Sequence, residues 1–87
     1  MSDLLTADRL ATRAEVVAKR AELRELAELQ GYDAVALAED GTLIVHDEQT
    51  SYRRIAKLAG AASRLVGAYV QVIADDVPAA SVPTSPL

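Results

Sequence analysis

The sequence contains no cysteine, phenylalanine or tryptophan, and three tyrosines are its only aromatic residues. Without cysteine, disulfides and thiolate zinc sites are excluded. The apolar stretches, such as those around 43–45 and 72–74, are far shorter than the roughly 20 residues that cross a bilayer. The first residues, Met1 to Leu5, do not place a basic region before an apolar run. We therefore expect a cytoplasmic protein with no secretory signal and no membrane segment.

Basic residues are in the minority, because 9 lysines and arginines face 13 acids, for a net charge of −4. This balance argues against nucleic-acid binding, which requires a basic surface. The acids are concentrated in residues 32–50, which hold no lysine or arginine but contain Asp33, Glu39, Asp40, Asp47 and Glu48. Basic residues follow at 53, 54 and 57. These patches are either solvated surfaces with local ion pairs or complementary surfaces for assembly.

The hydrophobic content of 51% overstates the core, because alanine is its largest contributor and buries little area. A chain of 87 residues forms one small domain. Such a domain, rich in alanine and without a disulfide, is expected to be marginally stable alone. Self-association is therefore the first expectation.

The pattern of apolar and turn residues predicts an α+β fold in the order helix–strand–strand–helix (αββα). A long first helix is predicted from Thr6 to Gln30, with Gly31 as the residue that ends it. An apolar stripe through Leu10, Ala11, Ala14, Val17, Ala18 and Ala21 marks its expected buried face. Val16 and Leu23 lie on the far side, which predicts a second cover for this helix.

A β-hairpin is predicted over residues 34–46, with an Asp-Gly turn at Asp40 and Gly41. A second, alanine-rich helix is predicted from Asp47 or Thr50 to Asp76. Three prolines near the end predict a mobile segment. The expected organisation is an N-terminal extension at 1–5, a single αββα domain at 6–76 and a flexible Pro-rich tail at 77–87.

Small residues recur on one side of the second predicted helix, and the spacing of four and three resembles a heptad seam. Two glycines inside a helix cost about 1 kcal/mol each relative to alanine, which close packing against a second copy would offset. We therefore predict an interaction surface that combines this seam, the far side of the first helix and the basic helix start. Its residues are Ala56, Gly60, Ser63, Gly67, Val70, Ala74, Val16, Leu23, Arg53, Arg54 and Lys57.

No residue pattern predicts catalysis, a cofactor or a metal. His46 is the only histidine, and its neighbours Asp47 and Glu48 alternate sides if the strand continues. A metal site would need further ligands from elsewhere. The glycines at 60 and 67 lie within the predicted helix, so they do not form a phosphate-binding loop between a strand and a helix. We expect no enzyme activity and no small-molecule substrate.

The segment from Val35 to His46, followed by the alanine-rich segment 55–68, resembles the roadblock family over roughly residues 22–74. The residues that carry the resemblance are Asp40, Gly41, Leu43 and Ile44 in the hairpin and Ala56, Leu58, Ala59, Ala62 and Leu65 in the helix. The resemblance implies a homodimeric, non-enzymatic scaffold that docks small GTPases or motor complexes. The family continues with three further strands, whereas this chain is predicted to have none after its second helix.

Together these patterns predict a small adaptor or regulatory module that binds its own copy, another protein or both. The alternative is a structural accessory protein of a virion or shell, or a small acidic inhibitor of another macromolecule. The acidic residues of the hairpin and the small size of the chain favour that alternative.

Overall fold

Three helices and four strands make up the computed structural model, which describes residues 9–32, 34–46 and 52–87. The elements, in chain order, are α1 Arg13–Ala18, α2 Arg20–Leu29, β1 Val35–Ala38, β2 Leu43–Val45, α3 Tyr52–Val66, β3 Val72–Ala74, a 3₁₀ turn Pro78–Ala80 and β4 Thr84–Pro86. The strands form one sheet in the order β3-β2-β1-β4. The class is α+β, but the αββα order was wrong, because two strands follow the last helix.

Within the described residues the first predicted helix is two shorter helices, of which the first begins at Arg13 because residues 9–12 are not helical. The predicted start at Thr6 lies outside the described residues. Thr12 caps α1 through a capping box, since its side chain accepts from the backbone N–H of Glu15 and the Glu15 carboxylate accepts from the backbone N–H of Thr12. Before this cap, Leu10 forms a parallel bridge with Tyr69. Lys19 separates α1 from α2.

The buried face of this helical pair differs from the predicted stripe, of which Ala11 is buried and Val17 half-buried but the other members are exposed. Val16 and Leu23 are buried to 0% and 1% exposure, whereas Ala14, Ala18 and Ala21 are exposed. The larger side chains face the sheet because each removes more apolar area from water than an alanine methyl. No second cover is needed for Val16 and Leu23.

The end of α2 confirms the expectation for Gly31. This glycine has a φ of 92°, and its N–H donates to the carbonyl of Glu28 at 3.0 Å. The next N–H, of Tyr32, reaches back to the carbonyl of Ala27 at 3.0 Å. These two bonds form the Schellman arrangement, and Tyr32 packs into the core at 2% exposure.

β1 and β2 pair antiparallel, with Val35 opposite Val45 and Leu37 opposite Leu43. The turn between them differs from the predicted Asp-Gly turn, because its central residues are Glu39 and Asp40. The N–H of Gly41 closes it by donating to the carbonyl of Ala38 at 3.0 Å. Gly41 follows with a φ of 93°, as in three-residue hairpin loops.

The predicted second helix ends ten residues early, at Val66 instead of Asp76. Its predicted caps Asp47 and Thr50 lie outside the described residues. Gly67 takes a φ of 87°, a conformation that ends a helix. The β-branched residues beyond it form β3, which pairs parallel with β2. A run such as 70–74 fits a helix stripe and a buried strand equally well, and the free edge of β2 selects the strand.

The segment predicted as a flexible tail, 77–87, completes the sheet instead. β4 pairs antiparallel with β1, with Ala36 opposite Pro86. Leu87 is 2% exposed in the core, and Arg20 donates from Nη2 to its backbone oxygen at 2.7 Å. Because β3 and β4 lie at opposite edges of the sheet, residues 77–83 must cross it; we call this segment the strap.

The core lies between the helices and one face of the sheet. It is built mainly of aliphatic residues: Val16, Leu23, Leu37, Leu43, Val45, Ile55, Leu58, Val70, Val72 and Leu87. The strap crosses the opposite face, where Ile44 is 6% exposed. None of the helices in the described ranges has the length and hydropathy of a membrane span.

Candidate functional site

A groove between α2 and α3 is the main exposed apolar feature of the helical layer. It is shallow and open, has a volume of about 250 Å³ and is lined by Leu26, Leu29, Ala61, Leu65, Glu22 and Glu25. Leu29 is 78% exposed and Leu65 is 36% exposed, although both are large aliphatic side chains. Contiguous exposed apolar residues with a polar rim mark protein interaction surfaces.

The two helices border this groove with charges of opposite sign. On α2, Glu22 and Glu25 line it directly; we call this pair the acidic wall. On α3, Lys57 precedes Ala61 by four residues and Arg64 follows it by three, which places both on the same face of the helix as Ala61, next to the groove. We call Lys57 and Arg64 the basic wall. Both walls are exposed, and Lys19 lies 3.8 Å from Glu22.

Four of the predicted interaction residues lie in the chain's own core. Val16 and Leu23 face the sheet from the helices, and Val70 and Ala74 are 1% and 4% exposed in and beside β3. They are unavailable to a partner in this fold. The periodicity that grouped Val70 and Ala74 with the helix was misleading because the chain turns at Gly67.

The remaining members of the small-residue seam differ from one another in exposure and in contacts. Ala56 is exposed and Gly60 is half-buried on α3. Ser63 binds within the chain: its hydroxyl donates to the carbonyl of Ala59 at 2.7 Å and accepts from the N–H of Val70 at 2.8 Å. Gly67 ends the helix. A continuous seam from 56 to 74 is therefore absent.

The three basic residues at the start of α3 also differ in exposure. Arg53 and Lys57 are exposed, as a docking surface requires. Arg54 is half-buried and stabilises the fold, because its Nη2 donates to the carbonyl of Gln30 at 3.0 Å. Its guanidinium lies 5.2 Å from the centre of the Tyr32 ring, within the range of a cation–π contact.

Sequence reasoning missed Leu29 and Leu65 as surface residues. A signal was present, since Leu23, Leu26 and Leu29 recur every third residue, and one helix face cannot bury all three. The structure buries Leu23, half-buries Leu26 and exposes Leu29. Leu65 entered the sequence analysis only as one of the helix residues that carry the roadblock resemblance.

A second opening lies on the other side of the molecule, between the sheet and the strap. Its volume is about 290 Å³, with Ile44 and Ile73 among the sheet residues and Val82 and Pro83 from the strap. Glu39, Asp40, Thr42 and Gln71 also line it. Asp40 serves the hairpin, because the backbone N–H of Thr42 donates to its carboxylate at 3.0 Å and so lowers the pKa of Asp40.

The described part of the chain brings its one histidine close to a carboxylate. His46 and Asp75 meet at the end of β2, with Nδ1 3.0 Å from Oδ2. Their side chains are 66% and 47% exposed, so this is a solvated pair. Across residues 9–32, 34–46 and 52–87, no group of three or more metal-ligating side chains comes together.

Comparison of the chain with protein-family models, with curated proteins and with solved structures finds no match.

Proposed function

We propose that this chain is a small, non-enzymatic protein–protein interaction module that acts as a homodimer, with the groove between α2 and α3 as its docking surface. The observation that carries the proposal is the exposure of Leu29, at 78%, and Leu65, at 36%, in one groove. The resemblance to the roadblock family, which implies a homodimeric scaffold, points in the same direction.

The driving force is burial of this apolar strip. Full burial of one leucine side chain is worth about 1.5–3 kcal/mol relative to leaving it in water. A two-fold dimer uses the same patch twice, so each leucine contributes from both chains. Leu26 and Ala61 are already half-buried at the floor of the groove, and the two exposed leucines supply the additional apolar area.

The route to a dimer differs from the small-residue seam that the sequence suggests. The hairpin edges are not free for a second copy, because β3 covers β2 and β4 covers β1. The small-residue seam is broken at Gly67. The helical groove offers another surface, and Lys57 beside it belongs to the predicted basic patch.

The test is the mass of the protein in solution, measured by sedimentation equilibrium over micromolar concentrations. We expect the wild type to reach the mass of two chains and the double variant Leu29→Gln/Leu65→Gln to remain at one. Leu10→Gln is the matched control, since Leu10 is 61% exposed but lies beside Tyr69 at another surface. It should dimerise like the wild type.

A wild type that keeps the mass of one chain overturns the proposal. So does a dimer that survives loss of both leucines. Because both side chains are substantially exposed, the double variant should remain folded, which circular dichroism verifies.

The other predictions have less support from the described residues. The alternative of an acidic inhibitor or a structural accessory protein depends on the acids of 32–50, of which Asp33, Asp47 and Glu48 lie outside the described residues. Glu39 and Asp40 are exposed. A cytoplasmic location and small GTPase or motor-complex partners also stay predictions.

A further inference from the structure

The arrangement of charge around the helical groove also specifies how two copies would meet. The acidic wall, Glu22 and Glu25, belongs to α2, and the basic wall, Lys57 and Arg64, belongs to α3. The exposed leucines line the groove together with the acidic wall, and the basic wall lies on the face of α3 that also carries Ala61. A patch with one sign of charge on each side is not symmetric, so different two-fold axes bring different walls together.

Two orientations of the axis can be distinguished for chains that meet groove to groove. If the axis runs along the groove, each α2 lies opposite the partner's α3, and both acidic walls face basic walls. If the axis runs across the groove, α2 lies opposite α2 and α3 opposite α3. Like charges would then face each other at both sides, which is unfavourable.

We infer that the occupant of the groove is a second copy of this chain, related by a two-fold axis that runs along the groove. The inference rests on the proposed function and adds to it the orientation of the dimer. The acidic wall of each chain faces the basic wall of its partner, twice by symmetry. The leucines supply the dry centre and the charged residues form the rim.

A partner of a single charge sign fits this surface less well. A basic partner would meet Glu22 and Glu25 favourably but would also meet Lys57 and Arg64, and an acidic partner has the converse difficulty. A second copy presents both signs in the required places. Its rim pairs are solvated, so added salt should weaken the dimer.

Charge reversal of one wall at a time provides the first measurement. Glu22→Lys/Glu25→Lys makes both walls basic, and Lys57→Glu/Arg64→Glu makes both acidic. Each double variant should dimerise about tenfold or more weakly than the wild type, because four like-charge contacts replace four favourable ones. Reversal of all four residues in one chain exchanges the walls and should restore the wild-type dissociation constant.

Mixing separates the two axes most sharply. With the axis along the groove, wild type and the fourfold-reversed chain repel each other at both walls, so an equimolar mixture should sort into two homodimers. With the axis across the groove, the same mixture should form heterodimers. Native mass spectrometry resolves the species because the two chains differ in mass, and circular dichroism verifies that each variant is folded.

The outcomes distinguish this inference from the proposed function. A wild type that dimerises and loses its dimer on Leu29→Gln/Leu65→Gln supports the proposed function alone. If that dimer is indifferent to reversal of either wall, or if wild type and the fourfold variant form heterodimers, the inferred axis is wrong and the function stands. A monomeric wild type overturns both.

Discussion

Glu15 accepts several hydrogen bonds at the start of α1. Its carboxylate accepts from both terminal nitrogens of Arg9, at 2.8 and 2.9 Å, and from the backbone N–H of Thr12 at 2.9 Å. These bonds, with that from Arg9 the largest cause, lower the pKa of Glu15 from 4.5 to about 2. The ionised form is thus the one that the fold favours.

The pH dependence of stability should show this bond network. A lowered folded pKa means that the stabilisation is complete above the unfolded value of 4.5 and is lost as the pH falls towards about 2. Glu15→Gln retains a capping side chain but does not titrate. The stability advantage of the wild type over Glu15→Gln should therefore vanish across this window, as measured by thermal unfolding at several pH values.

Arg9 provides the control for this prediction. Arg9→Gln leaves Glu15 and the cap of Thr12 in place but removes the main cause of the low pKa. The pH range over which the free energy of unfolding changes should be narrower in Arg9→Gln than in the wild type. Wild type and Glu15→Gln curves that run parallel throughout would contradict the assignment.

At the level of the elements, Gly60 and Gly67 differ in backbone conformation because α3 ends before Gly67. A helix that continued to Asp76 would contain both. Gly60 lies within α3, and a Cβ there would meet only Nη1 of Arg64, at 3.8 Å. Gly67 has a φ of 87° and no heavy atom within 4 Å of such a Cβ. Space is therefore available at both positions, and only the backbone conformation differs.

Alanine substitution should have opposite effects at these two sites. Gly60→Ala should raise the free energy of unfolding by up to about 1 kcal/mol, because alanine favours a helix interior. Gly67→Ala should lower it by about 1–2 kcal/mol, because a left-handed conformation is strained for alanine. Urea denaturation measures both values. In a helix continuing to Asp76 both variants would be more stable, so a stabilised Gly67→Ala would refute the break.

At the scale of the whole molecule, residues 84–87 join distant parts of the chain. β4 covers the edge of β1, Arg13 donates to the Ser85 hydroxyl at 3.4 Å, and Leu87 enters the core beneath the helices. The four-stranded sheet supplies apolar cover that the predicted two-stranded hairpin lacked. The chain therefore completes its own core, and the proposed self-association is not a condition for folding.

The variant Leu87→Ala tests how much this segment contributes to the stability of the core. Leu87 is 2% exposed, and truncation of such a leucine costs about 2–5 kcal/mol, a large share of the stability of a small domain. Val82→Ala is the matched control in the same segment, since Val82 is 45% exposed and should change stability by less than about 0.5 kcal/mol. Equal, negligible effects in chemical denaturation would show that 77–87 is a flexible tail.

Local features were predictable wherever a few neighbouring residues determine them. Gly31 after Gln30 marks the end of a helix, because the positive φ and the two backward hydrogen bonds involve only residues 27–32. Antiparallel pairing of 35–38 with 43–45 follows similarly from a short glycine-containing loop between β-prone segments. The start of α1 was missed despite a local signal, the capping box formed by Thr12 and Glu15.

The candidate site depended on which face of the first helical segment is buried, and periodicity alone chose the alanine stripe. The sheet selected Val16 and Leu23 instead, since they bury more area, and this rotation brings Leu29 to the surface beside Leu65. No pattern within α2 or α3 alone specifies the groove. Its walls come from residues more than 30 positions apart, such as Glu22 and Lys57.

Composition and short-range backbone preferences were enough to predict the α+β class and the end of α2. Residues 72–74 and 84–86 are strands because each pairs with the edge of a strand far away in the chain, and no local pattern specifies that pairing. The tertiary structure also decided which of the abundant apolar residues are core and which are exposed, since that depends on the surfaces they meet.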